Sequence, residues 1–168
     1  MAFASAIDAQ ILIWGIKNQA TPNRVEMIER ARAFFRKCDE DRERIILPAQ
    51  ALAEFLVGYT DQQCRESLAL LSKGFIIAPL DAKAAVIAAQ IQRDVDLKGL
   101  MAEHGIARQT IKADVNVVAS AIAAGANYLY SEDGHMKALG LNRIIVKSLP
   151  VDRQRGIFDR EGVQEKGV

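Results

Sequence analysis

The sequence predicts an α/β domain, in which helices cover both faces of a central parallel five-stranded sheet. Five short apolar runs have strand character, and segments with helical periodicity separate them, an alternation typical of parallel sheets. The chain has 168 residues, half of them apolar, which suits one domain with one core. The predicted strands cover residues 3–7, 44–47, 75–79, 127–130 and 143–149.

The helices between these strands follow from apolar spacing and from terminal signals. Val25, Ile28 and Phe35 lie on one face of the first amphipathic segment. Pro48 stands near the start of the second, and Gly125 follows the last as a C-terminal cap. The predicted helices cover residues 22–38, 48–59, 61–72, 81–96 and 110–124.

Two segments do not fit this alternation. Residues 99–109 contain Gly99 and Gly105, so a surface loop or hairpin is expected there. Residues 151–168 are charged and have little apolar periodicity, so they are expected to extend a domain that spans residues 1–150.

Composition excludes several classes of protein. Lys and Arg total 22 against 21 for Asp and Glu, so the sequence has no polybasic arm and no acidic tail. Its apolar runs are shorter than the roughly 20 residues that a membrane helix needs, and it begins without a basic leader. We therefore expect a cytoplasmic protein with no membrane partner. Cys38 and Cys64 stand apart from each other, so neither a disulfide framework nor a zinc site is predicted.

Four carboxylates occur where the predicted sheet should bind ligands. Asp8 follows the first strand and Asp133 follows the fourth, while Glu54 and Asp114 lie on helices after the second strand and before the fourth. Ligands of open parallel sheets bind outside the carboxyl ends of the strands, where the strand order reverses. We therefore expect these four side chains near one edge of the sheet.

Each carboxylate also has a simpler interpretation. Asp8 could cap the helix that follows it, and Asp133 could belong to an ordinary Asp-Gly turn. Glu54 lies opposite an apolar stripe and could be solvated. Asp114 borders an apolar helix face, so it needs a partner, either the helix dipole or, more fully, a bound cation.

Clustered carboxylates repel one another unless a cation neutralises them. Oxygen-only ligation favours a hard ion, Mg²⁺ or Mn²⁺. Such ions activate water and stabilise charge on phosphate, which is the chemistry of nucleases and related phosphoesterases.

Four segments, taken in order, resemble PIN domains, the family that includes the VapC-like ribonuclease toxins of toxin–antitoxin pairs. The strand that ends in Asp8 reads AIDAQILI, and the helix that carries Glu54 reads PAQALAEF. The helix around Asp114 reads IKADVNVVASA, and the segment that ends in Asp133 reads LYSED. The resemblance extends over residues 3–149.

This resemblance implies a three-layer α/β/α fold with strand order 3-2-1-4-5 and a Mg²⁺- or Mn²⁺-dependent endoribonuclease. Asp8, Asp114 and Asp133 would bind the metal, Glu54 would bind it directly or through water, and Ser131 would orient the site. A toxin would also have a cognate antitoxin that blocks its active edge.

Gln10 departs from the small polar residue that the family usually has two positions after the first Asp. This departure leaves open a catalytically inactive PIN-like module that binds RNA or protein. A phospho-acceptor receiver domain is a second alternative, since Asp81 follows the third strand and Lys147 lies in the fifth. That module needs two adjacent acidic residues after its first strand, and the sequence supplies only Asp8.

Cations near the acidic edge are candidates for binding RNA phosphates. Arg108 and Lys112 precede Asp114, whereas Lys98 and Lys137 lie in flanking segments. No role is assigned to the two histidines from the sequence, His104 and His135, although His135 could lie at the rim of the site.

Interaction surfaces can also be predicted from the apolar helices early in the chain. Residues 11–14 and 25–35 are the expected docking surfaces for an antitoxin or for a second copy in a homodimer. Trp14 is expected in the core or in such an interface.

Overall fold

The computed structural model describes residues 4–151, in which five parallel strands form one sheet. Numbered along the chain, the strands lie in the order 3-2-1-4-5, as predicted. This order differs from the 2-1-3-4-5 order of receiver domains and excludes that alternative. Phe3 of the predicted first strand and residues 152–168 of the extension lie outside the described residues. The strands are β1 (Ala4–Ile7), β2 (Arg44–Pro48), β3 (Phe75–Ala78), β4 (Tyr128–Tyr130) and β5 (Ile145–Lys147).

Helices connect successive strands and cover the sheet. The first helix continues into a π-helical segment, Ile13–Lys17, and a 3₁₀ turn, Pro22–Arg24, precedes the second. The helices are α1 (Ala9–Leu12), α2 (Glu26–Glu40), α3 (Ala49–Leu56), α4 (Asp61–Gly74), α5 (Ala82–Asp94), α6 (Leu97–His104), α7 (Arg108–Ala123) and α8 (Met136–Leu139).

The loop or hairpin predicted for residues 99–109 is wrong, because most of this segment belongs to α6 and to the start of α7. The Asp96 side chain accepts a hydrogen bond from the Gly99 amide at 3.0 Å and so caps α6 at its start. Gly105, with φ of 64°, ends the helix in the left-handed conformation. These caps define a helix in spite of the poor helix propensity of Gly99.

The core forms between the sheet and its helices. Ile7, Leu47 and Leu129 of the three central strands are fully buried. The long helix α7 packs against α3, α5 and α8 and contributes seven buried residues. Among residues 4–151, no helix has both the length and the apolar composition that crossing a bilayer requires.

The predicted docking surface at residues 11–14 is wrong. Ile11 and Leu12 are fully buried, and Trp14 is 3% exposed, so these side chains belong to the core of a single copy. In the second predicted surface, residues 25–35, Phe34 is buried and Val25 is 56% exposed. The apolar periodicity of these helices therefore reports mainly on internal packing.

Candidate active site at the carboxyl edge of the sheet

The strand order reverses between β1 and β4, which is where ligands of open parallel sheets bind. Asp8 follows β1, and the segment from Ser131 to Asp133 follows β4. The Asp8 amide donates a hydrogen bond to the Tyr130 carbonyl at 3.2 Å, so the two strand ends stay paired up to this point. Asp8 and the loop after β4 thus lie side by side.

Asp8 is a buried carboxylate, with an exposed fraction of 7%. Its Oδ1 accepts a hydrogen bond from the Ile11 amide at 3.2 Å, so it caps α1. The pKa of Asp8 is raised from 3.8 to about 7, mainly by burial and also by the negative charges of Asp133 and Asp114, while hydrogen bonds from the Ser131 hydroxyl and the Ile11 amide oppose the rise. An Asp that served only as a cap would be more stable in a solvated position, so the cap alone does not account for this burial.

Asp114 has the partner that its apolar surroundings require, and this partner is a side chain. The Asp114 side chain on α7 is 15% exposed, and its Oδ2 lies 2.7 Å from Nε2 of His135. Burial raises the pKa of Asp114, the hydrogen bond and charge of His135 lower it, and the charge of Asp133 raises it. His135, 7% exposed, was given no role from the sequence. The contact spans 21 residues, so the only signal in the sequence was its position two residues after Asp133.

Glu54 and Asp133 are exposed to solvent on the same side of the molecule. The side-chain amide nitrogen of Gln50, Nε2, lies 3.5 Å from Oε1 of Glu54. Partial desolvation raises the pKa of Glu54, Gln50 lowers it, and the charges of Asp114 and Asp133 raise it. The Asp133 amide donates to the hydroxyl of the buried Ser131 at 3.1 Å, which fixes the start of the loop.

Asp114 and Asp133 therefore lie within electrostatic reach of both Asp8 and Glu54, although the four carboxylates do not form a finished cage. Among residues 4–151, no group of three His, Cys, Asp or Glu side chains is arranged to hold a metal ion. Oxygens of Asp8 and Asp114 instead bond to Ile11 and His135. The atoms that could bind a metal are negatively charged carboxylate oxygens, and such ligands suit a hard divalent cation.

A cavity of about 220 Å³ opens beside Asp8 and Asp133. The predicted substrate contacts, Arg108 and Lys112, are exposed on the first two turns of α7 and do not line it. Arg24, which was not predicted, is the cation that does. The cavity is lined by Asp8, Gln10, Trp14, Thr21, Arg24, Glu132 and Asp133.

Comparison with known proteins finds similarity in structure only. No protein-family model and no curated protein matches the sequence. VapBC2 from Rickettsia felis, solved bound to a DNA fragment from its promoter, is 16% identical with a TM-score of 0.62, over 88% of this chain and all of that one. VapBC-1 from nontypeable Haemophilus influenzae is 12% identical with a TM-score of 0.56, over 88% of this chain and 98% of the other.

DNA-bound VapBC from Salmonella typhimurium is 16% identical with a TM-score of 0.53, over 88% of this chain and 99% of the other. All three structures are similar over nearly their full length, at identities that report on fold. The chain therefore has the PIN-like α/β/α fold that occurs in VapBC toxin–antitoxin structures.

Proposed function

We propose that this protein is a Mg²⁺- or Mn²⁺-dependent endoribonuclease that hydrolyses RNA phosphodiester bonds. The observation that supports this most strongly is the group of carboxylates at the switch point of the sheet, where the charges of Asp114 and Asp133 raise the pKa of both Asp8 and Glu54. Such a concentration of negative charge is costly in the free protein. A site that binds a cation compensates for this cost.

Asp8, Asp114 and Asp133 would hold the ion, with Glu54 binding it directly or through water. When bound, a divalent ion supplies an activated water and neutralises charge that develops on the phosphate. Ligation requires ionised carboxylates, so Asp8, whose pKa is about 7, gives up its proton when the ion binds. Ser131 opposes the rise in the pKa of Asp8 and holds the backbone of Asp133, and His135 restrains the Asp114 carboxylate.

The toxin role and the partners belong to the same proposal. The three similar structures are VapBC toxin–antitoxin assemblies. By analogy with their fold, this chain would pair with a cognate antitoxin and would form a homodimer. The pairing with an antitoxin is tested by expressing the protein in its host with and without a candidate antitoxin, because a toxin arrests growth only when its antitoxin is absent. Normal growth when the protein is strongly expressed without an antitoxin would contradict the toxin role.

Cleavage of RNA by the purified protein tests the catalytic proposal. Fluorescent single-stranded and hairpin RNAs should be cut in Mg²⁺ or Mn²⁺, and EDTA should abolish the reaction. Asp114→Asn should reduce the rate by at least about 100-fold, since it removes a charge from the metal site. Asp39→Asn, an exposed acid at the opposite edge of the sheet, is the matched control. Binding of RNA without cleavage by the wild type would favour the inactive PIN-like module instead.

A further inference from the structure

We infer that Arg24 forms a phosphate-binding subsite that holds single-stranded RNA beside the four carboxylates. The inference rests on the proposed function for the identity of the ligand. It assigns the contact to a residue that lies 74 positions before the nearest cation predicted from the sequence, Lys98.

The cavity brings Arg24 to the acidic edge. Asp8 and Asp133 line it together with Thr21 and Arg24, which lie in the chain that precedes α2. Among the described residues that line it, Arg24 is the only Lys or Arg. A nucleic acid strand that reaches Asp8 through this cavity therefore passes the Arg24 side chain.

The backbone that carries Arg24 is fixed locally. Pro22 begins the 3₁₀ turn and restricts its own φ, and the Arg24 amide donates to the Thr21 carbonyl at 2.8 Å. The Thr21 hydroxyl bonds to the Asn23 side chain at 2.7 Å. Arg24 thus projects from a short, hydrogen-bonded turn.

The guanidinium of Arg24 is available to a ligand. It is exposed, and within residues 4–151 it has neither an ion pair nor a side-chain hydrogen bond. Glu132, another charged residue of the cavity, already accepts a hydrogen bond from the Leu149 amide at 2.7 Å. Arg24 therefore retains all five donors, which match the oxygens of a phosphate.

Charge balance favours RNA over an acidic protein segment as the occupant. The cavity contains three carboxylates, Asp8, Glu132 and Asp133, against one cation. RNA phosphates can share the divalent ions that the carboxylates are proposed to bind, with Arg24 neutralising a neighbouring phosphate. Gln10 and Thr21 add uncharged polar groups on the same side.

RNA binding and cleavage by Arg24 variants test this subsite. Binding of a fluorescent single-stranded RNA is measured by anisotropy in Ca²⁺ at low salt, so that a divalent ion can neutralise the carboxylates, and cleavage kinetics are measured in Mn²⁺. Arg24→Ala should weaken binding and raise KM about tenfold with kcat nearly unchanged, and Arg24→Lys should recover part of the loss. The slope of log Kd against log salt should fall by about 0.7, as expected for one lost phosphate contact.

Arg65→Ala, an exposed arginine on α4, is the matched control and should behave as the wild type. Unchanged RNA affinity and salt slope in Arg24→Ala, or no RNA binding by the wild type, would overturn the inference. If Arg24→Ala lost affinity for poly-glutamate but kept its affinity for RNA, the inference would also be overturned. If Arg24→Ala loses RNA affinity while the wild type cuts no RNA, the subsite stands and the nuclease proposal fails.

Discussion

The two ends of the sheet differ in how their charged groups are accommodated. At the amino end, a cavity of about 470 Å³ is lined by charges of both signs, including Arg42, Glu43, Arg44 and Lys73. Glu43 accepts a hydrogen bond from Ser5 there. At the carboxyl end, a cavity of about 220 Å³ lies beside carboxylates that repel one another.

The larger cavity, at the amino end, contains no group among the described residues that is expected to react. Burial raises the pKa of Cys38 at the amino end to about 12, with help from the charges of Glu43 and Asp41, so this thiol stays protonated and unreactive. The cavity at the carboxyl end has three carboxylates against one cation, Arg24, and this imbalance of charge, not the volume of the cavity, indicates a functional site.

Asp8→Asn should stabilise the metal-free protein at high pH, which is the largest expected effect on stability. Because the folded-state pKa of Asp8 lies near 7, above its ordinary 3.8, the folded protein holds a proton that the unfolded chain releases. The stabilisation from protonated Asp8 is complete below about pH 4 and is lost as pH rises towards 7.

In EDTA at pH 8, Asp8→Asn should therefore raise the free energy of unfolding by about 2 kcal/mol and Tm by roughly 5 °C. At pH 4 the difference should disappear, and Asp39→Asn at the amino end should show none. Thermal unfolding across this pH range measures it. A variant less stable than the wild type at pH 8 would contradict this description of Asp8.

Gly15→Ala should destabilise the packing of the π-helical segment against α2. Gly15 lies in the π-helical segment next to Trp14, and a methyl group there would overlap the ring of Phe35. Overpacking of this kind costs about 1.5 kcal/mol, or roughly 4 °C in Tm. Gly74→Ala is the matched change at the amino end, where a methyl group meets nothing within 4 Å, and it should leave Tm nearly unchanged. Equal effects of the two substitutions, measured by calorimetry, would contradict the close packing of Gly15 against Phe35.

His135→Ala should weaken metal use without abolishing it. Loss of the 2.7 Å contact frees the Asp114 carboxylate, so the Mn²⁺ concentration for half-maximal cleavage should rise about tenfold. His135→Gln should recover part of the loss, and His104→Ala, an exposed neighbour, should have little effect. If kcat and Tm fell while the Mn²⁺ requirement stayed constant, the role of His135 would be structural only.

Local patterns were sufficient to predict the sheet and most helices. The five strands follow from apolar periodicity, whereas the strand order and the motifs around Asp8, Glu54, Asp114 and Asp133 were predicted from the resemblance to PIN domains. Helix α6 was missed because Gly99 was interpreted as a breaker, although the preceding Asp96 is a strong capping residue.

The missed residues depend on contacts between distant segments. His135 meets Asp114 because α8 packs on α7, and Arg24 reaches the acidic edge because the turn before α2 borders the cavity after β1. The burial of residues 11–14 likewise depends on α2 packing against the π-helical segment. Periodicity identifies an apolar face but does not reveal which element covers it.

The central claim is that Asp8, Asp114 and Asp133 act together as one metal site. Anomalous diffraction from crystals grown with Mn²⁺ tests this most directly. We predict a peak in contact with all three carboxylates, which disappears in Asp8→Asn and persists in Asp39→Asn. Mn²⁺ bound only at the amino end of the sheet, or no peak at millimolar Mn²⁺, would contradict the claim.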